Sequence, residues 1–140
     1  MTSSPACELY IDGASRGNPG PASVGIFLKQ GQDDSGYSYC RYLGETTNNV
    51  AEYFALIFGL EEAWRLGHRS VMVKTDSELL ARQINGQYQV RDAQLRLLHN
   101  FSGYLIQHFK SCTVTHIPRE LNTKADRLAN QAIQEHFSKK

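Results

Sequence analysis

The sequence predicts an α/β fold: a five-stranded mixed sheet, three antiparallel strands then parallel ones, flanked by helices in the order βββαβααβα. Three observations lead there. Three β-type segments come first, joined by short connections, as in an antiparallel meander. Helical periodicity takes over at residue 49. A strand, two helices, a further strand and a last helix follow, and strand–helix steps after a meander favour helices packed on a mixed sheet.

Residues 7–12 (CELYID) read as the first strand, with Leu9 and Ile11 on one side and Tyr10 and Asp12 on the other. Asn18-Pro19-Gly20 is a turn signal. Residues 22–29 and 37–43 read as strands joined by a Gly-bearing hairpin loop, GQDDSG. Over 49–66, Leu56, Gly59, Leu60, Ala63 and Leu66 form a stripe at three- and four-residue steps, with Asn48 as the candidate cap and Gly67 at the end. A β-branched strand covers 70–75, a short helix 77–85, and a longer helix about 92–109 with Leu95, Leu98, Leu105 and Phe109 on one face. Residues 112–117 form the fifth strand, and a helix over 123–137 turns Ala125, Leu128, Ala129, Ala132 and Ile133 inward.

The 140 residues suit one domain with a real core. No apolar run approaches the roughly 20 residues that span a bilayer. The start, MTSSPACELY, has no basic-then-apolar signal pattern, so a cytoplasmic protein without membrane contact is expected. Cys7, Cys40 and Cys112 are scattered and odd in number, which points to reduced thiols, and the five histidines lack zinc-ligand spacing. Net charge is only +1, so any recognition of a phosphate backbone must be local.

Four acids stand where structure alone does not favour them. Glu52 extends the apolar stripe of its helix through Ala55, Leu56 and Gly59, a costly place for a carboxylate unless it is paired or metal-bound. A dipole-favoured glutamate in the first helical turn is the competing account. Asp12 and Asp76 each end a strand and could be plain turn or cap residues; Asp126, in the first turn of the last helix, could be a dipole-favoured acid. If the first and fourth strands are parallel neighbours, however, Asp12 and Asp76 emerge at one edge. Clustered like charges need cations, and oxygen ligands favour Mg²⁺. Two such ions about 3.5–4 Å apart can clamp a phosphodiester.

DGASRGNPGPASVG (12–25), TNNVAEYFALIFGL (47–60), TDSELL (75–80) and HIPRELNTKADRLAN (116–130) resemble, in order, the four blocks of type 1 ribonuclease H. The resemblance covers almost the whole chain. It implies the ribonuclease H fold, metal binding by Asp12, Glu52, Asp76 and Asp126, and two Mg²⁺ ions, with Mn²⁺ as a substitute. It implies endonucleolytic hydrolysis of the RNA strand of RNA–DNA hybrids, leaving 5′-phosphate and 3′-hydroxyl ends. Asn18, Asn48 and Asn49 match polar positions that contact the hybrid; an amide can bond a 2′-OH, the group that marks RNA. Turn building by Asn18 and capping by Asn48 remain alternatives. Thr47 resembles a member of the DNA-phosphate pocket. Ser77 follows the third acid as in many relatives, and Asn122 precedes the fourth where the family often has a polar residue, a helix N-cap being an equal account.

Two features depart from many bacterial relatives. The loop before the last acid reads PRELNTKA, with Arg119 or Glu120 roughly where those relatives carry a catalytic His. Arg119 is then either a fixed catalytic charge or a structural arginine. The basic, aromatic-rich protrusion between the middle helices is also missing, with only Arg91 and Arg96 in that segment. Both traits resemble the short archaeal-like branch. A monomer is expected. The rival readings are a non-cleaving hybrid- or RNA-binding module and another nuclease of the same fold; double-stranded RNA stays open as an additional substrate.

Overall fold

The computed structural model describes residues 6–30 and 35–138. Residues 1–5 and most of the expected GQDDSG loop, 31–34, lie outside the described residues. The strands are β1 (Cys7–Ser15), β2 (Gly20–Lys29), β3 (Gly36–Thr46), β4 (Ser70–Thr75) and β5 (Ser111–His116). The helices are α1 (Asn48–Arg65), α2 (Glu78–Ile84), α3 (Ala93–Gln107) and α4 (Thr123–Ser138). The order of elements is as the sequence predicts, with a 3-10 turn at Arg119–Leu121 added.

The five strands form one sheet in the order β3-β2-β1-β4-β5. β1 pairs antiparallel with β2 and parallel with β4; β5 is parallel to β4. The first strand is longer than the expected 7–12. Its parallel pairing stops at Ile11–Thr75, but its antiparallel pairing continues to Ser15–Ala22. Asp12 therefore stands at the first position beyond the parallel ladder, inside β1 rather than at its end. β3 likewise outruns 37–43, with a bulge at Ala22/Ser23 opposite Gly44, whose φ is +99°.

Alternation along the strands assigns the two faces. Leu9, Ile11, Val24, Ile26 and Leu28 pack with Tyr53, Leu56 and Leu60 of α1. On the opposite face Ser23 Oγ donates to the Ala129 carbonyl of α4, and Gly25 lets the α4 backbone approach so closely that any Cβ would strike the Ala125 carbonyl oxygen. α4 buries Ala125, Ala129, Ala132 and Ile133, as its periodicity predicts, whereas Leu128 is only half-buried. α1 ends in a Schellman arrangement: Gly67 has φ +93°, its N–H donates to Trp64 O, and that of His68 to Ala63 O.

The cap of α1 differs from expectation. Thr47, not Asn48, is the N-cap, its Oγ1 accepting from Val50 N at 3.3 Å. The helix consequently starts one residue earlier, and Glu52 lies beyond its first turn, which holds no acid. Ser77 caps α2 and Asp92 caps α3, so Asp76 is left uncommitted to a cap. Cys7, Cys40 and Cys112 are free thiols, the first buried. Among the described residues, no helix is long and apolar enough to cross a membrane.

Candidate active site

The carboxylates meet where the parallel ladder ends. β1 and β4 run side by side, so Asp12, one residue past Ile11, and Asp76, one past Thr75, come out together. α1 crosses the end of β1 so tightly that a Cβ on Gly13 would sit 2.4 Å from the Ala51 carbonyl carbon and the Glu52 nitrogen. That close approach brings Glu52 over the strand end, where its Oε1 accepts the Gly13 N–H at 2.8 Å. Asp12, Glu52 and Asp76 each offer an oxygen within 4.8 Å of the others. Asp126 does not share that mutual spacing. It comes from the first turn of α4 and hydrogen-bonds with Asp12.

The electrostatics follow from this crowding. Asp12 is 5% exposed, and its carboxyl is pushed up to about 9, first by burial and then by the charges of Glu52, Asp76 and Asp126. Glu52, equally buried, is pushed up to about 8 by desolvation and by Asp76, against the lowering effect of the Gly13 N–H. Acids held this way bind protons or cations to relieve their repulsion. Hard oxygen donors, converging and sharing negative charge, fit a divalent cation and offer nothing to a soft metal.

The acids open into a cleft of about 390 Å³, also lined by Asn48, Ser77, Arg119 and Asn130. Of the other predicted residues, Asn18 reaches α1 from the 16–19 turn: its Oδ1 accepts the Asn48 N–H at 2.9 Å. Asn49 is exposed on the first turn of α1 and Thr47 half-buried; neither lines the cleft. Asn122 does not reach the surface. It is 1% exposed, and its Nδ2 donates to Ile11 O and to Asp76 Oδ2. The expected substrate contact is thus replaced by a buried bridge beneath the acids, because the 3-10 turn folds this residue inward. Asn130 also lines the cleft and is not among the residues the sequence singles out. It lies one helical turn after Asp126, and its Nδ2 donates to Asp126 O and Oδ1. The four-residue step from a singled-out acid is the signal that could have found it.

A family model described as reverse transcriptase-like matches residues 10–132. The crystal structure of RNase H1 from the halophilic archaeon Halobacterium salinarum NRC-1 has a TM-score of 0.89 and 39% identity, over 94% of this chain and 99% of that one. The chain belongs to the type 1 ribonuclease H family. Its archaeal-like character shows again in the curated Ribonuclease HI of Halobacterium salinarum, 40% identical over 91% of this chain. The chain spans 64% of that relative and 35% of the bifunctional protein Rv2228c of Mycobacterium tuberculosis, to which it is 39% identical over 89% of its own length. LC11-RNase H1, from compost, is similar at TM-score 0.88 and 38% identity over 94% of this chain and 99% of that one; its structure is a complex with an RNA/DNA hybrid. A brief segment, residues 85–92, joins α2 and α3.

Proposed function

We propose that this chain is an endonuclease that hydrolyses the RNA strand of RNA–DNA hybrids with two Mg²⁺ ions, leaving 5′-phosphate and 3′-hydroxyl ends. The observation that carries this reading is the convergence of Asp12, Glu52 and Asp76 within 4.8 Å at one sheet edge, in a ribonuclease H fold. A hybrid bound to the related LC11 enzyme supports the substrate. Asp12, Glu52, Asp76 and Asp126 would hold the ions, which when bound supply activation of water and neutralisation of charge on the leaving 3′ oxygen.

The chain's own residues do the rest. Asn48, at the lip of the cleft, and Asn49, beside it on α1, offer amides that donate to and accept from 2′-hydroxyls, as the RNA strand requires. Asn18 fixes the start of α1 through the Asn48 N–H. The Thr47 hydroxyl accepts from Val50 N and keeps its own proton for a DNA phosphate at a helix N-terminus. Ser77 borders the cleft beside Asp76. Arg119 lines it as a charge that holds at any working pH, suited to a phosphate oxygen rather than to proton transfer.

The test is a gel assay on matched hybrid, double-stranded RNA and double-stranded DNA. Asp12→Asn, Glu52→Gln and Asp76→Asn should each remove nearly all hybrid cleavage, Asp126→Asn less, and Arg119→Ala should slow it roughly 100-fold. Chelator should stop cleavage and Mg²⁺ restore it. Undiminished cleavage by Asp12→Asn would refute the site, binding without cleavage in Mg²⁺ would favour a non-cleaving module, and cleavage of the RNA duplex would widen the substrate class.

A further inference from the structure

Asn122 lies between the 3-10 turn and α4, and every polar contact it makes ends on or beside a residue of the cleft. Its side-chain nitrogen donates to Ile11 O at 2.9 Å, the carbonyl just before Asp12, and to Asp76 Oδ2 at 3.3 Å. Its backbone N–H donates to Arg119 O at 2.9 Å, and its carbonyl accepts from Asp126 N at 3.1 Å. Both side-chain partners are acceptors, so the amide can present only its nitrogen to them, and its two hydrogens are both used. Its Oδ1 is buried with no protein partner among the described residues. A side chain of this size chosen for packing alone would be apolar, since a buried acceptor without a partner is unfavourable. What the amide uniquely provides is the pair of donors that spans the ends of β1 and β4.

We propose that Asn122 is a positioning residue, which ties the strand end carrying Asp12 to the Asp76 carboxylate and to the start of α4, and so sets the shape of the acidic site for a divalent cation. The inference rests on the metal reading given above. Asp12 and Asp76 belong to adjacent parallel strands whose ladder has already ended, so backbone pairing no longer fixes their separation. The amide supplies that constraint, and it aims one oxygen of Asp76 while leaving the other free. Glu52 needs no such help, because the Gly13 N–H holds it. Groups that orient a metal ligand through a hydrogen bond commonly change metal affinity by roughly 10- to 100-fold when removed.

The experiment compares the unmodified protein, Asn122→Ala, Asn122→Ser and Val71→Ala. Val71 is a buried residue of β4 remote from the strand end, and its variant reports plain loss of core packing. Three quantities are read: the rise in melting temperature on adding Mg²⁺, the Mg²⁺ concentration giving half-maximal cleavage, and KM for hybrid at saturating Mg²⁺. Asn122→Ala should need roughly tenfold more Mg²⁺ and show a smaller melting-temperature rise, with KM unchanged. Asn122→Ser, which keeps one donor, should fall between. Val71→Ala should melt lower yet respond to Mg²⁺ as the unmodified protein does. An Mg²⁺ response in the Asn122 variants equal to that of Val71→Ala would overturn the proposal while leaving the metal reading intact. If the unmodified protein itself shows no Mg²⁺ response, the metal reading fails and this one with it. Should neither Asn122 variant fold, the side-chain amide resonance of Asn122 in the ¹⁵N-labelled unmodified protein decides: it should shift on Mg²⁺ titration, and a stationary resonance in a protein that Mg²⁺ stabilises would overturn the proposal.

Discussion

Asp12 and Glu52 hold protons in the folded protein that they would release in the unfolded chain, and this gives the metal-free molecule an unusual pH response. Burial and the neighbouring acids raise Asp12 from 3.8 to about 9, and Glu52 from 4.5 to about 8. A raised carboxyl contributes stability that is complete below its unfolded pKa and disappears as pH climbs through its folded one, because over that range the folded state binds more protons than the unfolded state. In chelator, these two groups should therefore lower the melting temperature progressively between about pH 4 and about pH 9. Asp12→Asn should flatten the fall and melt higher than the unmodified protein at the alkaline end. Added Mg²⁺ should cancel most of it. Parallel melting curves for the two proteins across that range would mean that the four acids do not repel as the geometry requires.

At the scale of elements, the site depends on how closely α1 crosses β1. The absence of a side chain at Gly13 permits the crossing, and the same residue's N–H then holds Glu52. Gly13→Ala would place a methyl 2.4 Å from the α1 backbone. The helix must shift, at a cost of about 1–3 kcal/mol or more, as for other overpacked positions. Urea denaturation should show the loss, and hybrid cleavage should fall far more than stability because Glu52 moves off the strand end. A variant with unmodified stability and activity would show that α1 and β1 do not approach this closely. The start of α1, like the ends of β1 and β3, lies outside what periodicity alone predicts. Both Thr47 and Asn48 are good capping residues by type, and nothing local chooses between them. In the structure Thr47 takes the role, its Oγ1 accepting from Val50 N, while the Asn48 N–H donates to Asn18 Oδ1, 30 positions away in sequence.

The whole molecule carries 15 basic and 14 acidic side chains, and among the described residues Arg119 is the one arginine or lysine lining the cleft. Affinity for a polyanion then comes from few counterion releases. The slope of log K against log salt for hybrid should be shallow, with a magnitude below about 4. Filter binding in chelator or Ca²⁺ across a salt series measures it; a steeper slope would reveal a basic surface outside the cleft.

The order of elements, the core stripe of α1 and the inward alanines of α4 were all legible in the amino-acid sequence, and so was the set of four acids, of which the structure gathers Asp12, Glu52 and Asp76 within 4.8 Å. Each of these is written in local periodicity or in a block whose residue types are fixed by chemistry. The sequence also singled out Asn48 and Ser77, which line the cleft, and Asn18, which accepts the Asn48 N–H. Tertiary structure alone decided between the accounts that local reading left open. Glu52 is no first-turn acid, since it lies past that turn and faces the Gly13 N–H. Asp12 is no turn residue, since β1 continues beyond it. Asn122 is a buried bridge and not a contact for substrate, because its partners are 111 and 46 positions away in sequence and only the sheet brings them together. Periodicity reports which face of an element is apolar, whereas a hydrogen bond or a charge cluster depends on which elements meet, and that is settled only when the strands pair.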